Sequence, residues 1–86
     1  MHAVVTTVSI GDAEGSEDVL REQVVPRISS APGFVAGYWV RLSEDKGTSV
    51  VAFESEEQAN SAREQLQPPP GVTVESAEVG EVVAHA

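Results

Sequence analysis

The chain has 86 residues and no cysteine, and its five basic side chains face fourteen acidic ones for a formal charge of −9. A domain of this length buries only about 60–65% of its unfolded surface, and without cysteine neither a disulfide nor a thiolate nucleophile is open to it. The charge opposes a phosphate backbone or an anionic membrane, no run approaches the roughly 20 apolar residues of a membrane span, and Met1-His2-Ala3-Val4-Val5 lacks the pattern of a signal peptide; the expectation is a cytoplasmic protein with neither a nucleic-acid nor a membrane partner.

Ala3 to Ile10 reads as a first strand. Its even positions, Val4, Thr6, Val8 and Ile10, are clearly apolar, and its odd positions, Ala3, Val5, Thr7 and Ser9, only partly so. A helix is predicted from about Ser16 to Ser29. Asp12 or Ser16 serves as its N-cap, and Glu17 and Asp18 occupy the first turn, where the helix dipole favours carboxylates. Leu20, Val24 and Ile28 make its core-facing stripe. Pro26 removes the hydrogen bond to the Glu22 carbonyl, so a kink or break is expected there. Ala31-Pro32-Gly33 then ends the segment.

The second predicted strand, Phe34 to Leu42, alternates Phe34, Ala36, Tyr38, Val40 and Leu42 with Val35, Gly37, Trp39 and Arg41. A short hairpin loop at Asp45-Lys46-Gly47 leads to a third strand, Thr48 to Glu54. A second helix opens at Ser55 with a capping box to Gln58. Its buried stripe is Ala59, Ala62 and Leu66, whose small alanines imply close packing on the sheet. Pro68-Pro69-Pro70-Gly71 stops it. Val72 to Val83 closes the chain as a strand whose apolar phase changes partway, which predicts a bulge or bend near Ala77 to Gly80.

That order is βαββαβ over residues 1–86, the ferredoxin-like plan: an α+β domain with an antiparallel sheet and two helices on one face. Such a sheet leaves its other face wet. Here that face is expected to carry Val35, Trp39, Val51 and Phe53, with Val5 a further candidate, and whichever parity faces the helices, both sides of the second and third strands need cover. A second copy packed sheet to sheet would supply it.

The run Ala31-Pro32-Gly33-Phe34-Val35-Ala36-Gly37-Tyr38-Trp39, a hairpin, and Val50-Val51-Ala52-Phe53 leading into Glu54-Ser55-Glu56-Glu57 resemble the dimeric α+β barrel proteins of the antibiotic biosynthesis monooxygenase-like group. The likeness covers nearly the whole chain in layout. It implies a homodimer through the sheet faces and a small hydrophobic cavity between sheet and helices in each subunit. Members of that group include cofactor-independent oxygenases of aromatic substrates, haem-degrading enzymes and many proteins with no assigned reaction. The oxygenases and haem degraders typically use an Asn with a Trp, and a His or Tyr, partly on the second helix. Asn60 falls on that helix, but the single Trp, Trp39, is on the second strand and no His lies in the middle of any element. The group's catalytic set therefore does not carry over.

Tyr38, Trp39 and Arg41 form the densest polar-aromatic cluster. They suit an aromatic-ligand pocket, although the plainer expectation seats Trp39 in the dimer interface with Arg41 at its rim. Asn60 could orient a substrate or stabilise an enolate-like oxygen. His2 and His85 are brought together if the first and last strands are neighbours, but two ligands are too few for a metal site and none is expected. No flavin, nicotinamide or P-loop fingerprint is present, so no cofactor is expected. The third strand echoes an RNA-recognition signature at Lys46, Gly47, Val51 and Phe53, yet Thr48 and Val50 stand where the base-stacking aromatics belong. The functional expectation is a small dimeric protein that binds a small apolar or aromatic molecule. The alternative is a cofactor-independent, monooxygenase-like enzyme acting on an aromatic or polyketide-type substrate.

Overall fold

A computed structural model describes residues 1–11, 13–69 and 71–86 of the protein. The chain forms an α+β fold with strands β1 (His2–Ile10), β2 (Phe34–Ser43), β3 (Lys46–Phe53) and β4 (Val72–Glu81). All neighbouring strands are antiparallel, in the order β2-β3-β1-β4. Between β1 and β2 runs one helical stretch in three pieces: α1 (Ala13–Val19), a π-helical turn (Leu20–Val24) and α2 (Val25–Ser29). Helix α3 (Glu56–Glu64) joins β3 to β4. No helix among the described residues is long and apolar enough to cross a membrane.

Pro26 shapes the first helical stretch. It has no N–H to return to Glu22, and the chain accommodates it by widening the turn before it, so that Val25 N–H reaches the Leu20 carbonyl five residues back. Pro26 then stands in the first turn of α2, where a missing donor costs little. The expected break is thus a π turn followed by a restarted helix. The expected N-cap is not Ser16, which lies inside α1 and is buried; Asp12 lies outside the described residues. In α3 the capping box is half made. The Ser55 hydroxyl accepts from Gln58 N–H at 3.2 Å, but the Gln58 side chain lies over Gly33 instead of returning to the cap, and its Oε1 is buried without a hydrogen-bond partner among the described residues. Gly33 allows this because its φ is +78° and a Cβ there would fall 1.9 Å from Gln58 Oε1.

The core lies between the sheet and α3. Val4, Val51, Phe53 and Ala59 are buried together, and Ile28, Ala31, Phe34, Trp39, Ala62 and Val79 pack against them. Phe53, 1% exposed, meets Phe34 edge to face with ring centroids 6.3 Å apart and planes at 81°. The two are also cross-strand partners.

Three details of the sheet differ from the alternation expected of the strands. The ladder between β2 and β3 steps from Phe34↔Phe53 to Ala36↔Ala52, making Val35 an extra residue. This bulge puts Phe34 on the same face as Gly37, Trp39 and Arg41. Trp39, Val51 and Phe53 therefore face the helices, not the uncovered side. In β4 the irregularity falls at Glu75, between Val74↔Val8 and Ser76↔Thr7, not at Ala77 to Gly80. It brings Val72, Val74, Ala77 and Val79 onto the helix face, and the Ser9 hydroxyl donates to the Glu75 carboxylate beside it. The hairpin turn is the pair Glu44-Asp45, with Lys46 and Gly47 already in β3; neither turn residue has a positive φ, and the ladder shifts register between Arg41 and Ser43.

The uncovered face instead carries Val5, Tyr38, Val40 and Val50, which are 41%, 67%, 49% and 40% exposed, with the bulge residues Val35 and Leu42 at 43% and 62%. Replacing Phe53 with Ala is expected to cost about 3–5 kcal/mol, and Ser55→Ala about 1 kcal/mol through loss of the cap. Urea unfolding followed by circular dichroism checks both.

Candidate functional site

Helix α2 rests against β2, and α3 against β1, β3 and β4, while α1 and the π turn present Glu17, Leu20 and Val24 to a space over the strands. Beneath them is a cleft of about 740 Å³, within the range that accommodates a small organic ligand. Val4, Val8, Val51 and Phe53 on the sheet and Leu20 and Val24 on the helix give it apolar walls. The side chains of Leu20, Val24 and Ile28, the stripe read from sequence, point to this space, but only Val24 among them is buried. Leu66, expected on the second helix, lies just past its end and also lines the cleft.

Trp39 sits in the wall of the cleft. Its indole folds back over Gly37, where a built Cβ would fall 2.8 Å from Cη2, so the absence of a side chain at Gly37 gives the ring its place. Arg41, two residues on, lines the same cleft and reaches across to α1, with Nη1 3.2 Å from Glu17 Oε1. Arg21 approaches Glu17 at 3.7 Å and Asp18 at 3.7 Å. These groups are largely solvated, so each pair contributes less than about 1 kcal/mol. Together they tie α1 to the far end of β2. At the other side of the cleft, Arg27 Nη1 donates to Gln67 Oε1 at 2.9 Å, bridging α2 to the segment that follows α3.

Of the residues singled out by sequence, Trp39 and Arg41 meet in the cleft. Tyr38 does not; it points from the opposite face of the sheet. Trp39 thus lies on the helix side of the sheet, with the core and the cleft, and not on the uncovered face where it was expected. Asn60 follows the buried Ala59 on α3 and does not line the cleft. His2 Nε2 lies 3.6 Å from Glu56 Oε2, and His85 is exposed beyond β4. Among the described residues no group of three or more His, Cys, Asp or Glu side chains is arranged to hold a metal.

Sequence reasoning missed Glu17, Arg21, Arg27 and Gln67 as parts of the site. The Glu17–Arg21 spacing of four was a visible pairing signal, but nothing local placed it opposite Arg41. Compared with known proteins, the chain matches no protein-family model, no curated protein and no solved structure. Gly37→Ala is expected to displace the indole, shift Trp39 emission and cost about 1–3 kcal/mol by overpacking; fluorescence spectra and urea titration of the same variant read the two effects.

Proposed function

We propose that the chain is a ferredoxin-like protein of the dimeric α+β barrel kind, related in layout to the antibiotic biosynthesis monooxygenase-like group, that binds a small apolar or aromatic molecule under α1. The cleft carries this reading: about 740 Å³ of space walled by aliphatic side chains and the indole of Trp39, in a chain that has few residues to spare for a large unfilled space. Buried apolar surface supplies the affinity for such a ligand, and Trp39 offers a flat face for a ring. A cofactor-independent oxygenase in the same place would need a group to take a substrate proton. Among the described residues Glu17 is the one carboxylate in the cleft, and it is already engaged by Arg41 and Arg21. Binding requires no such group and is the simpler reading. A cytoplasmic setting fits a chain without cysteine.

The dimer in this proposal rests on the uncovered sheet face. Tyr38 and Val50 are directly paired across β2 and β3, and Val50 is paired with Val5 across β3 and β1. This row forms a continuous apolar band that soluble monomers seldom leave in water. A two-fold axis through it would lay the same band from each copy together. Native mass spectrometry is expected to give a dimer for the parent chain and for Trp39→Ala, and a monomer for Tyr38→Asp. A monomeric parent chain removes the dimer from the proposal. The neutral aromatic probe phenylnaphthylamine is expected to bind with enhanced emission in both dimeric and monomeric forms, because the cleft lies on the helix side of each copy; absence of binding overturns the ligand reading.

A further inference from the structure

The cleft has a charge balance opposite to that of the protein. The whole chain has five basic and fourteen acidic side chains. Three of those five, Arg21, Arg27 and Arg41, line the cleft, against Glu17 alone of the carboxylates among the described residues. The three arginines are not equivalent. Arg41 and Arg21 are matched by Glu17, and Arg21 also by Asp18. Arg27 has no carboxylate within salt-bridge distance among the described residues, and its partner is the neutral amide oxygen of Gln67.

An arginine fork has five N–H donors, and one neutral acceptor leaves both its charge and most of its donors open to a bidentate anion. Arg27 is an exposed residue of α2. It follows Pro26, whose carbonyl accepts from the hydroxyls of Ser29 at 3.0 Å and Ser30 at 2.9 Å. Arg27 lines the cleft, as do Val24 and Ile28 on its own helical stretch and Leu66 on the opposite segment.

We infer that the ligand of this cleft is an organic acid: an apolar or aromatic body held against Trp39 and the aliphatic wall, with a carboxylate or similar oxyanion paired to Arg27 and Gln67 contributing its amide. The inference rests on the ligand-binding reading above and adds the polarity of the ligand and the residue that reads it. In a chain of charge −9 an anionic ligand gains nothing from the overall field. At physiological salt that field is screened beyond about 8 Å, so selection for an anion must come from a cation within contact distance, and Arg27 is that cation.

Two probes that share one aromatic skeleton test it: phenylnaphthylamine, which is neutral, and anilinonaphthalene sulfonate, which adds a single oxyanion. Both are titrated against the full chain by fluorescence, together with Arg27→Gln and with Arg63→Gln, which removes the same charge from a position on α3 outside the cleft. The sulfonate is expected to bind about tenfold more tightly than the neutral probe. Arg27→Gln is expected to abolish that difference by lowering the sulfonate's affinity about tenfold more than the neutral probe's, with the circular dichroism spectrum unchanged, and Arg63→Gln to leave both affinities as they were. Equal affinity of the two probes for the parent chain, or an equal effect of Arg27→Gln and Arg63→Gln on the sulfonate, overturns the acid-binding inference and leaves the ligand cleft standing. Failure of both probes to bind overturns the two together.

Discussion

Phe53 is the side chain on which the arrangement of this protein turns. It is seated between Phe34 across the β2–β3 ladder and Ala59 on α3, and is almost fully excluded from water. Because side chains alternate strictly along a strand, this one placement obliges Val51 to face the helices and Val50 to face away. The ladders carry the choice onward: Val51 opposite Val4 and Gly37, and Val50 opposite Val5 and Tyr38. The bulge at Val35 makes the choice compatible with β2, since it lets Phe34 and Trp39 share a face despite their odd spacing of five residues. One buried ring thus sorts the aromatic residues of the chain into two populations. Phe34, Phe53 and Trp39 lie under the helices, and Tyr38 lies alone on the open side.

The second constraint is a proline. A continuous α-helix from α1 through α2 would place Leu20, Val24 and Ile28 in one line along the sheet. Pro26 and the π turn before it break the stretch into α1 and α2, of which α2 lies against β2. The space left under α1 is too large to be an ordinary packing defect. Its rim carries Glu17, Arg21 and Arg41 on one side and Arg27 and Gln67 on the other, with the buried Val24 of the π turn between them.

These two constraints also account for the unusual apolarity of both sheet faces. The helix face is apolar because it forms the core and the wall of the cleft. The open face is apolar in its central row, Tyr38, Val50 and Val5, and turns polar toward β4, where Glu78 and Ser76 stand opposite Val5 and Thr7. A band of this shape, bounded by charge at one edge, has the form of a self-complementary contact, in keeping with the dimer proposed above.

Much was determined by local sequence. The element order, the helix face of β1, the Ser55 cap, the break at Pro26 and the apolarity of both faces of β2 and β3 each follow from side-chain period, capping chemistry or the missing N–H of proline, which act within a few residues. What only the tertiary structure decided was parity and distance. A bulge adds one residue without changing composition, so nothing in the run Phe34-Val35-Ala36 told which alternation continued past it, and Trp39 was expected on the wrong face. The Glu75 bulge was misplaced for the same reason. The cleft and its arginines were hidden more deeply still, because Arg27 and Gln67 are forty positions apart and Glu17 meets Arg41 across the gap between a helix and a strand. Charge pairing over such separations depends on where the helices come to rest on the sheet, which tertiary packing sets and no pattern along the chain does.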